Sequence, residues 1–105
     1  MEECIIFTTI NDDDLAQQFI GDLLEESLIL SGTIFSGVRT MYVWEGQMTI
    51  DEEFRVMLKA RKGNYAAIEK YIMEKHPYQA PEIIKVDAEF GSPQFRQHIL
   101  SKKQL

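Results

Sequence analysis

Residues 38–61 read VRTMYVWEGQMTIDEEFRVMLKAR, two alternating runs joined by a two-residue turn. Side chains of different character alternate with a period of two before and after the turn, which predicts two antiparallel strands. Glycine at the second turn position supplies the positive φ that a tight hairpin turn requires. We therefore predict a hairpin with Trp44-Glu45-Gly46 at its tip, a first strand from Leu28 to Trp44 and a return strand from Gln47 to about Arg61.

Each strand of this hairpin has two faces. On the return strand, one face carries Phe54, Val56, Leu58 and Ala60, and the opposite face carries Arg55, Met57, Lys59 and Arg61. On the first strand, Gly32 and Gly37 predict a bend or a bulge, because glycine within a strand often marks such a site.

The hairpin is too long for its domain. About fourteen residues at ~3.3 Å each span roughly 45 Å, whereas a domain of this size has a radius of gyration of about 13 Å. Part of the ribbon should therefore extend beyond the core and expose Tyr42, Val43, Trp44, Met48 and Ile50. Exposed strand edges and apolar side chains of this kind usually bind another chain. We predict self-association, most simply as a closed ring of identical subunits.

A strand and a helix precede the hairpin. Cys4–Ile10 is apolar and rich in Ile, Phe and Thr, which predicts a buried strand. Asn11 is the predicted N-cap of a helix over roughly residues 12–27, and the acidic run at 12–14 complements the positive end of its dipole. The apolar residues of this helix recur at helical spacing, at Leu15, Phe19, Ile20, Leu23, Leu24 and Leu28.

A helix, a strand and a short helix follow the hairpin. Gly63-Asn64 is predicted to cap a helix that ends near Lys75, because Pro77 disfavours helical geometry at the residue before it. Glu82–Phe90 predicts the last strand, with core residues Ile83, Ile84 and Val86. Ser92-Pro93 then begins a short terminal helix, docked through Phe95, Ile99 and Leu100.

This order predicts an α+β fold in one domain over residues 1–105. The sequence β-α-β-β-α-β, followed by a terminal helix, is the ferredoxin-like arrangement. It predicts an antiparallel sheet with two helices packed on one face, a long β-hairpin and a short C-terminal helix.

Composition narrows the class of protein. With 11 basic and 17 acidic residues, the chain has a net charge of −6, which disfavours nucleic acid as a partner. No apolar run approaches the ~20 residues of a membrane span, and the acidic start is unlike a secretory signal, so we expect no membrane partner and a cytoplasmic protein. The single cysteine, Cys4, is interpreted as a small buried hydrophobe. Nucleophile-elbow, phosphate-loop and dinucleotide motifs are absent from the sequence, so we predict that the chain is not an enzyme.

Several motifs resemble the CutA family, the divalent-cation tolerance proteins. They are Trp44-Glu45-Gly46 at the hairpin tip and His76-Pro77-Tyr78 followed by Pro81-Glu82-Ile83, together with Thr8-Thr9 and Lys59 at matching places. The resemblance implies a ferredoxin-like fold, a homotrimer and a role in tolerance of copper and other divalent cations, with no well-established catalytic activity. It also implies an architecture similar to that of the trimeric PII signal proteins, which are small-ligand sensors.

The chain departs from the family pattern at the suggested copper ligands. Ser31 and Thr8 stand where family members have cysteines, and Lys75 stands where some have a second histidine. Further departures are at Thr33, Phe95 and His98. Of the ligands that the resemblance implies, His76 remains, so a soft copper site built on thiolate and paired imidazoles is poorly supported.

Two candidate ligand sites follow, each with an alternative. His76 and Glu82 are candidate ligands of copper or zinc; alternatively, His76 caps the last carbonyls of the second helix and Glu82 pairs with a lysine such as Lys59. Lys59, Tyr78 and Glu82 are also candidates for an intersubunit cleft that binds a small anionic metabolite, as in a PII-like sensor.

The hairpin tip is a predicted contact between subunits. Tyr42, Trp44, Glu45 and Gly46 form this contact, because aromatic residues are enriched at interfaces. Alternatively, Tyr42 and Trp44 line a ligand pocket, and both can hold if the pocket lies between subunits.

Overall fold

A computed structural model describes residues 2–101. The elements in chain order are β1 (Glu3–Ile10), α1 (Asp13–Glu25), β2 (Ser31–Trp44), β3 (Gln47–Arg61), a 3₁₀ turn (Lys62–Asn64), α2 (Tyr65–Lys75), β4 (Ile84–Ala88) and α3 (Pro93–Leu100). This order confirms the predicted α+β fold with a long hairpin and a short terminal helix. Among the described residues, no helix is long and apolar enough to cross a membrane.

The four strands form one antiparallel sheet in the order β2-β3-β1-β4. The two longest strands, β2 and β3, form the hairpin, and β1 lies between β3 and β4. Strands β2 and β4 are therefore the two edges of the sheet.

Helices α1 and α2 cover one face of this sheet. Every second residue of β1 and β3 points into the space between sheet and helices. The predicted alternation of β3 is confirmed, because Val56, Leu58 and Ala60 are all buried on this side. The side chains buried there to 1% exposure or less include Ile6, Ile10, Phe19, Leu23, Val56, Leu58, Ile68 and Ile72. Full burial of a side chain of this size contributes about 1.5–3 kcal/mol, so this layer supplies most of the apolar stabilisation.

Two predicted helix caps differ in the structure. Asp12, rather than Asn11, is the N-cap of α1, because its carboxylate accepts the Leu15 N–H at 3.1 Å. Asn64 has helical dihedral angles and makes no capping bond; its side chain donates to the Leu28 carbonyl at 3.3 Å and so ties α2 to the loop before β2. The predicted end of α2 at Lys75 is confirmed.

The last strand is shorter than predicted, and two of its side chains face the other way. Register pairs Phe7 with Ile84 and Ile5 with Val86, so both β4 residues lie on the face away from α1 and α2. Ile84 and Val86 are 44% and 46% exposed, and Ile83 alone of the three predicted core residues packs against the main core. Side chains alternate along a strand, so Ile84 and Val86 share one face and Ile83 lies on the other.

The two glycines of β2 have different roles. The register shifts between Phe35 and Val38, where Gly37 has a φ of 67°, so the predicted bulge lies there. Gly32 instead pairs regularly with Leu58, and a Cβ atom on it would lie 2.7 Å from the side chain of Ile20. Gly32 therefore permits the close approach of α1 to the sheet rather than a bend.

Helix α3 lies on the opposite side of the sheet from α1 and α2. Arg96 bonds Glu3, and the Leu100 carbonyl accepts from Arg61 at 3.2 Å. Alternation along β1 and β3 places Glu3 and Arg61 on the face away from the main core. The expected two-layer arrangement therefore has a third layer at one end.

Candidate functional site

An apolar surface lies on the sheet face that α1 and α2 leave uncovered. We call it the open face and define it by Ile5, Phe7, Phe35, Met57, Ile84 and Val86. Phe35, Ile84 and Val86 are 44–46% exposed. The Arg55 guanidinium lies 5.8 Å from the centre of the Phe7 ring. Within residues 2–101, α3 covers one end of this sheet face and leaves its apolar centre exposed.

The hairpin extends the sheet beyond the core, and its two faces differ. The face continuous with the open face carries Tyr42 and Trp44, opposite Thr49 and Gln47. The other face carries Met41, Val43, Met48 and Ile50, all 52–71% exposed. A projecting ribbon with large exposed side chains on both faces is typical of a protein–protein contact.

Tyr42 is held in place on this ribbon by a carboxylate. Its hydroxyl donates to Asp51 at 2.7 Å, a bond that raises the pKa of Tyr42. Trp44 is 62% exposed and lies beside the turn at Glu45 and Gly46. The structure thus places the predicted interface residues together at the free end of the hairpin, and their contact with a second subunit stays a prediction.

A second tyrosine–carboxylate pair lies at the base of the hairpin. The Tyr78 hydroxyl donates to Glu53 at 2.7 Å, and burial together with this bond raises the pKa of Tyr78. Glu53 is only 6% exposed. Sequence reasoning did not single out Glu53; an acidic residue between the exposed tip and the apolar half of the same strand is the signal that could have found it.

His76 is buried and uses both of its ring nitrogens. Its Nε2 lies 2.7 Å from the Thr9 carbonyl, and its Nδ1 accepts the Tyr78 N–H at 3.1 Å, so the proton is on Nε2. The ring packs against Phe19 and Tyr78, and burial lowers the pKa of His76. His76 therefore bonds a carbonyl of β1 rather than the last carbonyls of α2, and it fixes the loop after α2 to the sheet.

Glu82 pairs with an arginine. Its carboxylate lies 3.0 Å from Arg55, and not beside Lys59 as the alternative reading had it. Lys59 is on the same face of β3 but roughly 13 Å from Arg55 along the strand. Tyr78 and Glu82 thus approach neighbouring positions of β3, whereas Lys59 does not join them within one chain.

These residues do not fit a copper or zinc centre within a single chain. Both nitrogens of His76 are engaged, and the Glu82 carboxylate is bound to Arg55. In the part of the chain that the structure describes, no group of three or more His, Cys, Asp or Glu side chains is placed to hold a metal ion. His98 lies on α3, at the Glu3 end of β1, and His76 contacts Thr9 about 20 Å along that strand. The assignment of His76 and Glu82 as metal ligands therefore stays a prediction, and the described residues of one chain do not supply the further ligands that a metal ion would need.

Sequence and structure comparisons agree on one family. The model of the CutA1 divalent ion tolerance protein family matches residues 4–102. The chain is 34% identical to the divalent-cation tolerance protein CutA of Pyrococcus horikoshii over 85 residues, which cover 81% of this chain and 82% of that protein. It is 29% identical to the CutA of Pectobacterium atrosepticum over 91 residues, with 87% and 83% covered.

Solved structures support the same assignment. The crystal structure of the divalent ion tolerance protein CutA1 from Ehrlichia chaffeensis has a TM-score of 0.87 at 28% identity, with 94% of this chain and 92% of that chain covered. CutA1 from Shewanella sp. SIB1 has a TM-score of 0.87 at 30% identity and the same coverage. The chain belongs to the CutA1 divalent ion tolerance protein family.

Proposed function

We propose that this protein is a cytoplasmic homotrimer that acts in the response to divalent metal ions, copper among them, by binding or assembly rather than by catalysis. Membership of the family supports the link to divalent ions. The number of subunits is supported by the family resemblance of the hairpin and loop motifs.

The observation that carries the assembly is the open face and its continuity with the hairpin. Phe35, Ile84 and Val86 would each lose exposed apolar area against a second copy, which is worth about 25 cal/mol per Å². The hairpin and the open face are different surfaces of one chain. A contact in which the hairpin of one copy meets the open face of the next is therefore heterologous, and contacts of this kind form a ring when the rotation between neighbouring copies closes, as it does in a trimer.

We place no metal at His76 or Glu82 within a single chain. The hydrogen bonds of His76 hold the loop that carries Tyr78, and Tyr78 in turn contacts Glu53 at the base of the hairpin. The proposed role of His76 is therefore to position the elements that meet the neighbouring subunit.

The PII-like alternative, a small anionic metabolite in an intersubunit cleft, needs positive charge beside Tyr78. The carboxylates of Asp51, Glu53 and Glu82 lie nearby, and Arg55 is paired with one of them. Lys59 of the same chain is too far away to contribute. Among residues 2–101, no contact favours an anion here, so the support for this alternative comes from the sequence.

Sedimentation velocity tests the assembly. We expect the wild type to be a trimer at micromolar concentration and Phe35→Asp to dissociate at concentrations at least thirtyfold higher, because a charge on the open face would be buried in the contact. Met73→Asp is the matched control, since Met73 is 53% exposed but lies on α2, away from the open face. A wild type that remains monomeric across the micromolar range would refute the proposal.

Calorimetric titration with Cu²⁺ tests the position of His76. We expect the wild type and His76→Gln to bind the ion with the same affinity, because His76 has no free ring nitrogen. A tenfold loss of affinity in His76→Gln would show that the imidazole leaves its hydrogen bonds to become a ligand.

A further inference from the structure

The terminal helix α3 is attached to the sheet face on which we place the neighbouring subunit. Ala88 and Glu3 are register partners at one end of the sheet, on the same side as Ile5 and Val86 of the open face. Arg96 of α3 bonds Glu3 there. Helix α3 and the open face are thus neighbours on one surface, so α3 forms the boundary of the proposed contact.

A small hydrophobic cluster of its own holds α3. Leu30, Phe90 and Ile99 are 2–7% exposed and pack with Ala88 and Leu100, apart from the core between the sheet and α1 and α2. Satellite clusters of this kind form units that can open without disruption of the main core. A helix of eight residues is not stable in isolation, so α3 is helical only while it is docked.

The side-chain pair that joins α3 to β1 contains one buried charge. Glu3 is 2% exposed, and its two carboxylate oxygens accept from the two terminal nitrogens of Arg96. The Arg96 side chain is partly exposed, whereas Glu3 is buried, so loss of Arg96 while α3 stays docked leaves a buried carboxylate without its partner and is destabilising. A displaced α3 would instead leave Glu3 exposed to solvent without Arg96, opposite Arg61 of β3, at the end of the apolar open face.

We propose that α3 is a latch: it docks and undocks as a unit, the Glu3–Arg96 pair holds it, and the neighbouring subunit binds the docked form in preference. The inference rests on the proposed self-association. The physical basis of the preference is the state of Glu3 at the end of the open face. When α3 is docked, the helix covers the Glu3 carboxylate and Arg96 neutralises it; when α3 is undocked, the carboxylate is exposed. A partner that binds one of two states better shifts the equilibrium towards that state.

Deuterium exchange of the backbone amides, with sedimentation on the same samples, tests the latch. In Arg96→Met we expect the amides of residues 95–100 to exchange at least thirtyfold faster and the subunits to dissociate at tenfold higher concentration, while β3 keeps its protection. Lys62→Met is the matched control: it breaks the exposed pair between Lys62 and Asp87 on the other face of the sheet, and we expect no change in either measurement.

The double variant Glu3→Gln with Arg96→Met removes the bare charge as well as its partner. We expect it to regain most of the α3 protection and of the association, since a neutral amide costs far less to leave buried without a partner. Unchanged exchange in α3 of Arg96→Met, loss of protection throughout the molecule, or fast α3 exchange with wild-type association would each overturn the latch. A wild type that does not associate would instead refute the proposed function. In that case the exchange measurement alone would show whether α3 undocks as a unit.

Discussion

Thr8 is a polar residue within the main core. It is fully buried on β1, and its hydroxyl has no hydrogen-bond partner among the described residues. A buried hydroxyl without a partner costs about 1–3 kcal/mol. We expect Thr8→Val, which keeps the shape and removes the hydroxyl, to raise the free energy of unfolding by about 1 kcal/mol, measured by denaturant unfolding at fixed protein concentration.

Thr8→Ser is the control for this position. It keeps the hydroxyl and removes a methyl group from a packed core, so we expect it to lower the free energy of unfolding by about 1 kcal/mol. A destabilised Thr8→Val would contradict the prediction and show that the hydroxyl has a partner in solution.

His76 makes the stability of the fold depend on pH. Burial lowers its pKa in the folded protein below the ordinary value of 6.5, against smaller opposing effects of the Thr9 carbonyl and the Glu53 carboxylate. The unfolded chain therefore binds more protons than the folded chain between these two pKa values. The contribution of neutral His76 to the free energy of unfolding is therefore fully present above pH 6.5. It decreases as the pH is lowered from 6.5 towards the pKa of the folded protein, and below that pKa it no longer changes.

The variant His76→Gln separates the titration of His76 from the titration of other groups that change stability with pH. Glutamine is neutral, and it can donate to Thr9 and accept from Tyr78. We expect the decrease in unfolding free energy between pH 7.5 and 5.5 to become smaller in His76→Gln and to persist in His98→Gln, which alters the other histidine of the chain. Equal slopes in all three proteins would show that His76 does not titrate in this range.

At the scale of single elements, the hairpin turn contains a strained residue. Glu45 and Gly46 have φ angles of 50° and 78°, so both central residues are left-handed, as in a type I′ turn. A side chain such as glutamate adopts this conformation at a cost of roughly 1 kcal/mol, whereas asparagine tolerates it. We expect Glu45→Asn to raise the free energy of unfolding by about 0.5–1 kcal/mol in thermal or denaturant unfolding.

Gly46→Ala provides the opposite case at the same turn. We expect it to lower the free energy of unfolding by about 1 kcal/mol, because a Cβ atom is unfavourable at this φ. If both substitutions change stability in the same direction, contacts of the tip with another subunit outweigh the backbone conformation.

Elements with a strong internal period were predicted well, and those fixed by distant contacts were not. The helix after Asp12, the hairpin and the end of α2 follow from spacing, turn chemistry and Pro77. Strand β4 did not follow, because its five residues lie at a sheet edge, where the register with β1 alone decides which face each side chain takes. The side on which α3 packs depends equally on a remote partner, Glu3.

The same contrast holds for the candidate site. The exposed end of the hairpin was predicted because strand length is a local property that can be compared with the size of the domain, and its contact with a second subunit stays a prediction. The bonds of His76 and Tyr78 were not predicted, since they join the loop after α2 to Thr9 and Glu53, far away in the chain. Residue identity alone made His76 a candidate ligand, whereas the hydrogen bonds to Thr9 and Tyr78 became visible only in the structure.

At the scale of the whole molecule, the hairpin makes the chain elongated. The molecule measures 48 × 25 × 23 Å, and none of the residues buried in the main core lies between residues 41 and 50. The end of the hairpin can therefore be shortened without loss of the core. Met41 pairs with Ile50 and Trp44 with Gln47, so removal of 41–44 and 47–50 deletes four complete rungs and preserves the register and the faces.

This truncation separates folding from assembly. It retains Glu45-Gly46 as the turn, now between Thr40 and Asp51, which are register partners. We expect the shortened protein to keep the far-ultraviolet circular dichroism of an α+β fold and cooperative unfolding, while sedimentation shows dissociation at concentrations at least thirtyfold above those of the wild type. The reason is that the exposed apolar side chains of the tip contribute to the contact between subunits and not to the fold of one chain. Association as strong as that of the wild type would assign the contact to the open face alone, and a truncated chain that fails to fold would show that the hairpin stabilises the monomer itself.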